Sequence, residues 1–243
     1  MTETLPILFQ DPHLVAVHKP SGLLVHRSPI DRRETRFALQ LLRDQLGVRL
    51  YPVHRLDKPT SGILLLALTP EAARCVARAF AAGEVQKRYL AVVRGIPPLT
   101  GCIDHPLDVP DRAGSQPRPA RTGFRRLAEV ELPVAVGRYP SSRYALLEAE
   151  PFSGRRHQLR RHFKHIFHPI IGDTRYGEGR HNRFFRESFD CHRLLLAATA
   201  ITLTHPGSGQ PLTIEAPPSA DFATVLQALG WHLPTILRTE SQM

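Results

Sequence analysis

Asp57 is the acidic side chain best placed to do chemistry. It sits in His54-Arg55-Leu56-Asp57-Lys58-Pro59-Thr60-Ser61-Gly62, just ahead of the apolar run Ile63-Leu64-Leu65-Leu66. The alternation of Tyr51, Val53, Arg55 and Asp57 with Pro52, His54 and Leu56 predicts a strand with a period of two. Pro59 and Gly62 break it, and residues 63–68 are apolar enough for a central strand buried on both faces. A carboxylate would then be mounted at a strand-to-loop junction beside the core. Arg55 and Lys58 favour its ionised form. A lone Asp among cations is commonly a surface ion pair, and spacing alone does not separate that from a catalytic role.

The densest cationic segment follows at residues 153–165, with Arg155, Arg156, His157, Arg160, Arg161 and Lys164. A helix over 154–167, stopped by Pro169, would place Leu159, Phe163, Ile166 and Phe167 in one apolar stripe. His157, Arg160, Arg161 and Lys164 would lie beside that stripe. Cations in the first turn oppose the helix dipole, an arrangement that favours an approaching anion such as phosphate. A second tract, residues 175–186, interleaves Arg175, Arg180, Arg183 and Arg186 with Tyr176, Phe184 and Phe185. It predicts a loop that tracks a nucleic-acid backbone while its rings stack on bases. Arg118, Arg121, Arg125 and Arg126 make a third patch. His157, His162, His165 and His168 invite a metal, but no Cys or carboxylate lies among them and the surrounding cations would repel one. There is no Gly-x-Ser-x-Gly elbow, no acidic partner close to Asp57 in sequence and no Gly-rich phosphate loop. No cofactor and no metal are expected.

Composition points the same way. The chain has 243 residues, 32 Lys and Arg against 22 Asp and Glu, and a formal net charge of +10. That balance suits a polyanion, with nucleic acid ahead of a membrane surface. Three scattered cysteines (Cys75, Cys102, Cys191) form no framework and fit a reducing compartment. No signal peptide or spanning run is visible, so a cytoplasmic protein without membrane association is expected.

The elements that must position these residues read as follows. Strands are expected at 5–9, 13–18, 23–26, 87–94, 127–136, 144–149, 194–204 and 212–215, and helices at 34–46, about 70–82, 154–167 and 222–229. Thr69 and Pro70 open the second helix, and Gly47 and Gly83 close the first two. Residues 96–120, rich in Pro, Gly and Asp, read as an excursion or flexible insert. Strands and helices do not alternate regularly, which predicts α+β with a large mixed or mainly antiparallel sheet, in a single domain over 1–243.

Five blocks in order carry a resemblance. They are His18-Lys19-Pro20-Ser21-Gly22-Leu23-Leu24-Val25-His26; the His54 to Gly62 segment; Lys87-Arg88-Tyr89; Ser153-Gly154-Arg155-Arg156-His157-Gln158-Leu159-Arg160; and His168-Pro169-Ile170-Ile171-Gly172-Asp173. Together they resemble the RluA-type pseudouridine synthases, the family that acts on ribosomal and transfer RNA. Residues 27–32 and 137–144, with Arg160-Arg161 before His162, look like the branch that modifies uridine 65 in the T-stem of tRNA. Two departures stand out. Relatives often carry an S4-type RNA-binding module ahead of the catalytic domain; here RNA affinity is expected from the catalytic domain's own basic surface. Relatives also read Leu-His-Ala where this chain has Leu196-Ala197-Ala198, so the imidazole is missing from an otherwise kept apolar wall.

The resemblance implies a pseudouridine synthase fold with helices and loops around a central cleft, and isomerisation of uridine within RNA without a cofactor. It makes Asp57 the essential carboxylate, acting either as a nucleophile on the ribose or as the base that opens a glycal route. It makes Arg160 the ion-pair partner of Asp57, and Tyr89 the ring that stacks on uracil and helps remove the carbon 5 proton. A paired target must flip out, and Arg55 is expected to fill the vacated stack. Lys87, Arg155, Arg156, His157, Arg161, Lys164, Arg180 and Arg183 are the expected RNA contacts. RNA, foremost tRNA, is the expected partner of a monomer. Ribosomal RNA as substrate, or RNA binding without catalysis, are the alternatives.

Overall fold

The computed structural model describes residues 4–27, 34–111 and 114–232. Residues 28–32 of the branch-like segment 27–32 lie outside them. The chain divides into two compact units, Met1–Arg88 with Ala197–Pro217, and Tyr89–Leu196 with Pro218–Met243.

In the first unit β1 (Ile7–Gln10), β2 (Leu14–Lys19), β4 (Ser61–Ala67) and β11 (Leu196–Thr204) lie side by side. β3 (Tyr51–Pro52) pairs with β4 and β12 (Pro211–Glu215) with β11. All these pairings are antiparallel except β4 with β11. β4 is buried at all seven positions, as its unbroken apolar run requires. Helix α2 (Pro70–Ala82) starts where expected, because the Thr69 side chain accepts from the Ala72 amide and Pro sits in the first turn. Its Ala72 and Val76 pack on Leu14, Ile63, Leu65 and Ile201. Helix α1 (Ala38–Leu46) ends at Gly47 in the left-handed conformation, φ 68°. Gly62 has φ +103°, and a Cβ there would lie 2.0 Å from the Ala198 carbonyl oxygen, so only glycine admits the β4–β11 pairing. Ala197, at the position of the missing His, is fully buried opposite Ser61 in the same pairing.

The second unit is antiparallel: β5 (Gln86–Arg94, with Tyr89 onward in this unit), β10 (Ser142–Pro151), β9 (Arg121–Leu132) and β6 (Thr100–Asp104). β7 (Leu107–Asp111) and β8 (Gly114–Arg118) form a separate ribbon. Residues 96–120, expected as an excursion or flexible insert, carry three strands, β6, β7 and β8. Pro117 is tolerated because a two-stranded ribbon is all edge, where a missing N–H breaks no ladder on its outer side. Ala91, Val93, Phe124, Leu147, Leu159 and Phe163 build the core. Helix α5 (Ala220–Ala228) is where expected. The α+β class with mixed, mainly antiparallel sheet structure and flanking helices agrees with the sequence reading.

Several local expectations need correction. The strand expected over 23–26 is reduced to an isolated bridge between Leu24 and Phe37, and the helix expected over 34–46 begins at Ala38. The strand expected over 51–57 pairs only at Tyr51 and Pro52, because the His54 side chain takes over: its Nε2 accepts the Leu65 amide of β4 at 2.9 Å. Helix α3 (Gln158–His165) is shorter than 154–167. Gln158 Oε1 accepts from the Arg155 amide and the Ser153 hydroxyl, holding 153–156 as a turn, and His157 is left-handed at φ 55°. Residues 179–189 form helix α4 (Gly179–Phe189) rather than a loop. Both Glu178 carboxylate oxygens cap it, accepting from the Arg180 and His181 amides, while Asn182 and Phe185 turn inward.

Candidate active site

In the first unit, the segment carrying Asp57 is tied down from beneath. Lys19, the last residue of β2, is fully buried, and its Nζ donates to the carbonyls of Leu23 at 2.7 Å, Pro20 at 2.9 Å and Lys58 at 3.2 Å. Ser21 Oγ donates to Pro59 O at 2.7 Å, and the Gly22 amide donates to Lys58 O at 2.9 Å. The turn closes on itself where the Thr60 amide donates to Asp57 O at 3.0 Å. The His18 to Gly22 block is thus the floor on which the Asp57 turn rests. Asp57 itself is half-buried. Replacing Lys19 with Met keeps the volume but removes three donors from buried carbonyls. Lys19→Met is expected to lower the unfolding free energy by about 2 kcal/mol, read from a denaturant titration.

His54 stacks on Phe80 with ring centroids 5.0 Å apart. Although part of its surface is accessible, desolvation, joined by the Lys87 charge, pushes its pKa down to about 4. The imidazole is therefore neutral and protonated on Nδ1, since Nε2 accepts the Leu65 amide. Burial also holds the Lys87 ammonium below its usual value. Arg55 is exposed, and its charge, after desolvation, helps keep His26 low.

In the second unit, Arg160 is buried at 5% exposure. Its Nε and Nη2 each donate to a carboxylate oxygen of Asp173 at 2.8 Å, a forked pair. Asp173 Oδ1 also accepts the Arg175 and Tyr176 amides at 2.9 and 3.0 Å. The ring of Tyr176 lies 5.3 Å from the guanidinium carbon. The resemblance named Asp57 as the partner of Arg160; within this unit two of the guanidinium's donors go to Asp173, which the sequence reading quoted in a motif but gave no role. Tyr89, half-buried on β5 opposite Ala149, packs against the unit's core.

The expected RNA contacts divide by what they touch. Arg155, Arg156, Lys164, Arg180 and Arg183 are exposed. On α4, Arg180, Arg183 and Arg186 recur every third residue as one exposed ridge. His157 and Arg161 are half-buried: His157 Nδ1 meets the Tyr176 hydroxyl at 3.0 Å, and Arg161 Nη1 donates to Asp108 O of the ribbon at 3.0 Å. His162, fully buried, donates from Nε2 to His105 O and accepts at Nδ1 from Thr122 Oγ1. Burial holds it neutral. Among the described residues, no group of three or more His, Cys, Asp or Glu is arranged to hold a metal ion. No described helix is long and apolar enough to cross a membrane.

The RNA pseudouridylate synthase family model matches residues 13–165. The chain is 51% identical over 238 residues to tRNA pseudouridine synthase C of Pectobacterium carotovorum subsp. carotovorum, covering 93% of this chain and 62% of that protein. It therefore spans less than two thirds of that relative. It is 48% identical to tRNA pseudouridine synthase C of Salmonella typhi, covering 97% and 95% of the two chains. For that of Vibrio cholerae the figures are 46%, 94% and 97%. Among solved structures, human RNA Pseudouridylate Synthase Domain Containing 4 superposes with TM-score 0.70 at 26% identity over 93% of each chain. Human RNA Pseudouridylate Synthase Domain Containing 1, at 24% identity and TM-score 0.69 over 95% of this chain and 96% of that one, shares the fold.

Proposed function

This chain belongs to the RNA pseudouridylate synthase family and isomerises uridine in RNA to pseudouridine, and on that premise we propose that its substrate is tRNA and its target uridine 65 of the T-stem. The reaction breaks the bond from ribose carbon 1′ to uracil N1, turns the base, and joins carbon 1′ to carbon 5. The carbon 5 proton leaves and N1 gains one, so nothing is oxidised and nothing is hydrolysed. In this reading Asp57 attacks the ribose or removes a ribose proton. Tyr89 stacks on the base and assists the carbon 5 proton, and Arg160 supplies the fixed positive charge. Arg55, exposed two residues before Asp57, fills the stack left by the flipped nucleotide.

The observation that supports this best is the mounting of Asp57: a half-buried carboxylate on a turn fixed by a buried lysine and by a neutral, strand-bonded His54. The tRNA substrate follows the names of the relatives, and position 65 follows the resemblance of residues 27–32 and 137–144 to one branch. The test is tritium release from tRNA transcripts labelled at uracil carbon 5. One tritium per transcript is expected, and none from a transcript carrying cytidine at position 65. Release from ribosomal RNA fragments but not from tRNA would move the substrate to the ribosome. Tight binding with no release from any RNA would leave a non-catalytic RNA-binding protein.

A further inference from the structure

Register fixes what the outer face of β6, β9 and β10 presents. Cys102 stands opposite Gly123 and Gly123 opposite Glu150, while Asp104 stands opposite Arg121. Side chains two apart share a face of a strand, so Arg121 and Phe152, which follows β10, join this row. The alternate residues Ile103, Phe124 and Ala149 point into the core. Phe152 is 49% exposed, with its ring lying over Gly123, where an added Cβ would sit 3.4 Å from it. The Arg121 guanidinium lies 5.3 Å from the ring centroid and is held there, its Nε donating to Cys102 Sγ at 3.0 Å. The Phe152 amide donates to Arg121 O at 3.0 Å, joining the two residues through the backbone. Arg155 Nε donates to Pro119 O at 3.2 Å, which brings a further guanidinium to the rim beside exposed Arg118.

A phenylalanine packed on a glycine, with a guanidinium over its ring, offers a flat composite surface to solvent. Such a surface gains most from another flat ring. We propose that Arg121 and Phe152 form a stacking platform for an unpaired nucleotide of the RNA substrate other than the target uridine, with Arg118 and Arg155 on its phosphates. This rests on the RNA-modifying reading above. Asp104 and Glu150 border the pair, so stacking rather than bare charge carries the contact. Stacking tolerates any base, and the platform therefore orients the RNA rather than reading its sequence.

Cys102 makes the platform visible. It is exposed, as is Cys75 on α2, while Cys191 is buried. In full-length protein labelled with a thiol-reactive dye, saturating tRNA transcript is expected to slow labelling of Cys102 about tenfold and leave Cys75 unchanged. Phe152→Ala is expected to raise KM for the transcript about tenfold while kcat changes less than about twofold, and Phe152→Trp to restore KM. If wild-type enzyme releases tritium from the transcript while Cys102 labels equally fast with and without RNA, the platform is overturned and the activity stands. Protection of Cys102 without a rise in KM in Phe152→Ala overturns it equally. Failure of wild-type enzyme to release tritium from any RNA counts instead against the activity on which the platform rests.

Discussion

Asp57→Asn is expected to lower tritium release from labelled tRNA by a factor on the order of 10³ or more. Neither route open to Asp57 survives the change, since an amide is a poor nucleophile and a poor base at neutral pH. The fold should survive it. The hydrogen bonds that close and anchor the turn run to backbone oxygens, with the Thr60 amide on Asp57 O, and the Lys19 ammonium and Gly22 amide on Lys58 O. Asparagine is nearly isosteric with aspartate, so these bonds can persist. Binding should persist too, because no exposed arginine is altered. The measurement is a pair: single-turnover tritium release, and filter binding of the same transcript. Release within tenfold of wild type would exclude Asp57 as the group that acts on the ribose. Loss of binding alongside release would place its role in substrate capture.

The sequence was informative wherever one residue type had a local reason to be there. β4 follows from its uninterrupted apolar run, and α2 from Thr69, Pro70 and Gly83. Asp57 stood out because a family motif surrounds it. What could not be read were partners made across the chain. His54 looks like one more strand residue, yet its ring substitutes for the backbone of that strand by accepting the Leu65 amide. Lys19 looks like a surface lysine beside a turn, and burial alone shows that it ties two motifs together. Residues 175–186 carry Gly and Arg enough to suggest a loop, but the Glu178 cap and the inward Asn182 and Phe185 make a helix. Asn182 shows why: its side chain accepts the Gly172 amide and donates to Asp173 O, a contact no local pattern announces. The arginine ridge of α4 is thereby fixed to the same loop that holds Arg160.

That loop gives the largest stability prediction. Asp173→Asn is expected to cost about 3–5 kcal/mol, because Arg160 loses its forked carboxylate in a buried setting and cannot discard its charge. Asparagine can still accept through one oxygen, but its amide nitrogen then faces a guanidinium that only donates. Arg160→Met is expected to cost less, since Asp173 would keep the Arg175 and Tyr176 amides and can take up a proton. The pH dependence distinguishes this pair from ordinary packing. Burial pushes the Asp173 carboxyl up, but the Arg160 hydrogen bond, the Tyr176 and Arg175 amides and the Arg160 charge together hold it below its ordinary value of 3.8. A carboxyl depressed in the folded state stabilises fully above its unfolded pKa and loses that contribution as pH falls through the folded one. His54 works in a higher window: its folded pKa of about 4 lies below the ordinary 6.5, so the unfolded chain takes up the proton first and stability declines between those values. Wild-type protein should therefore lose stability on acidification in two stages. Asp173→Asn should start lower and show a weaker lower stage when unfolding is followed by urea titration from pH 7 to pH 3. The remainder of that stage comes from Asp11 and Asp221, which are also held below their ordinary value. An Asp173→Asn variant that matched wild type at pH 7 would mean that the fork contributes nothing net, and that Arg160 is held by other contacts.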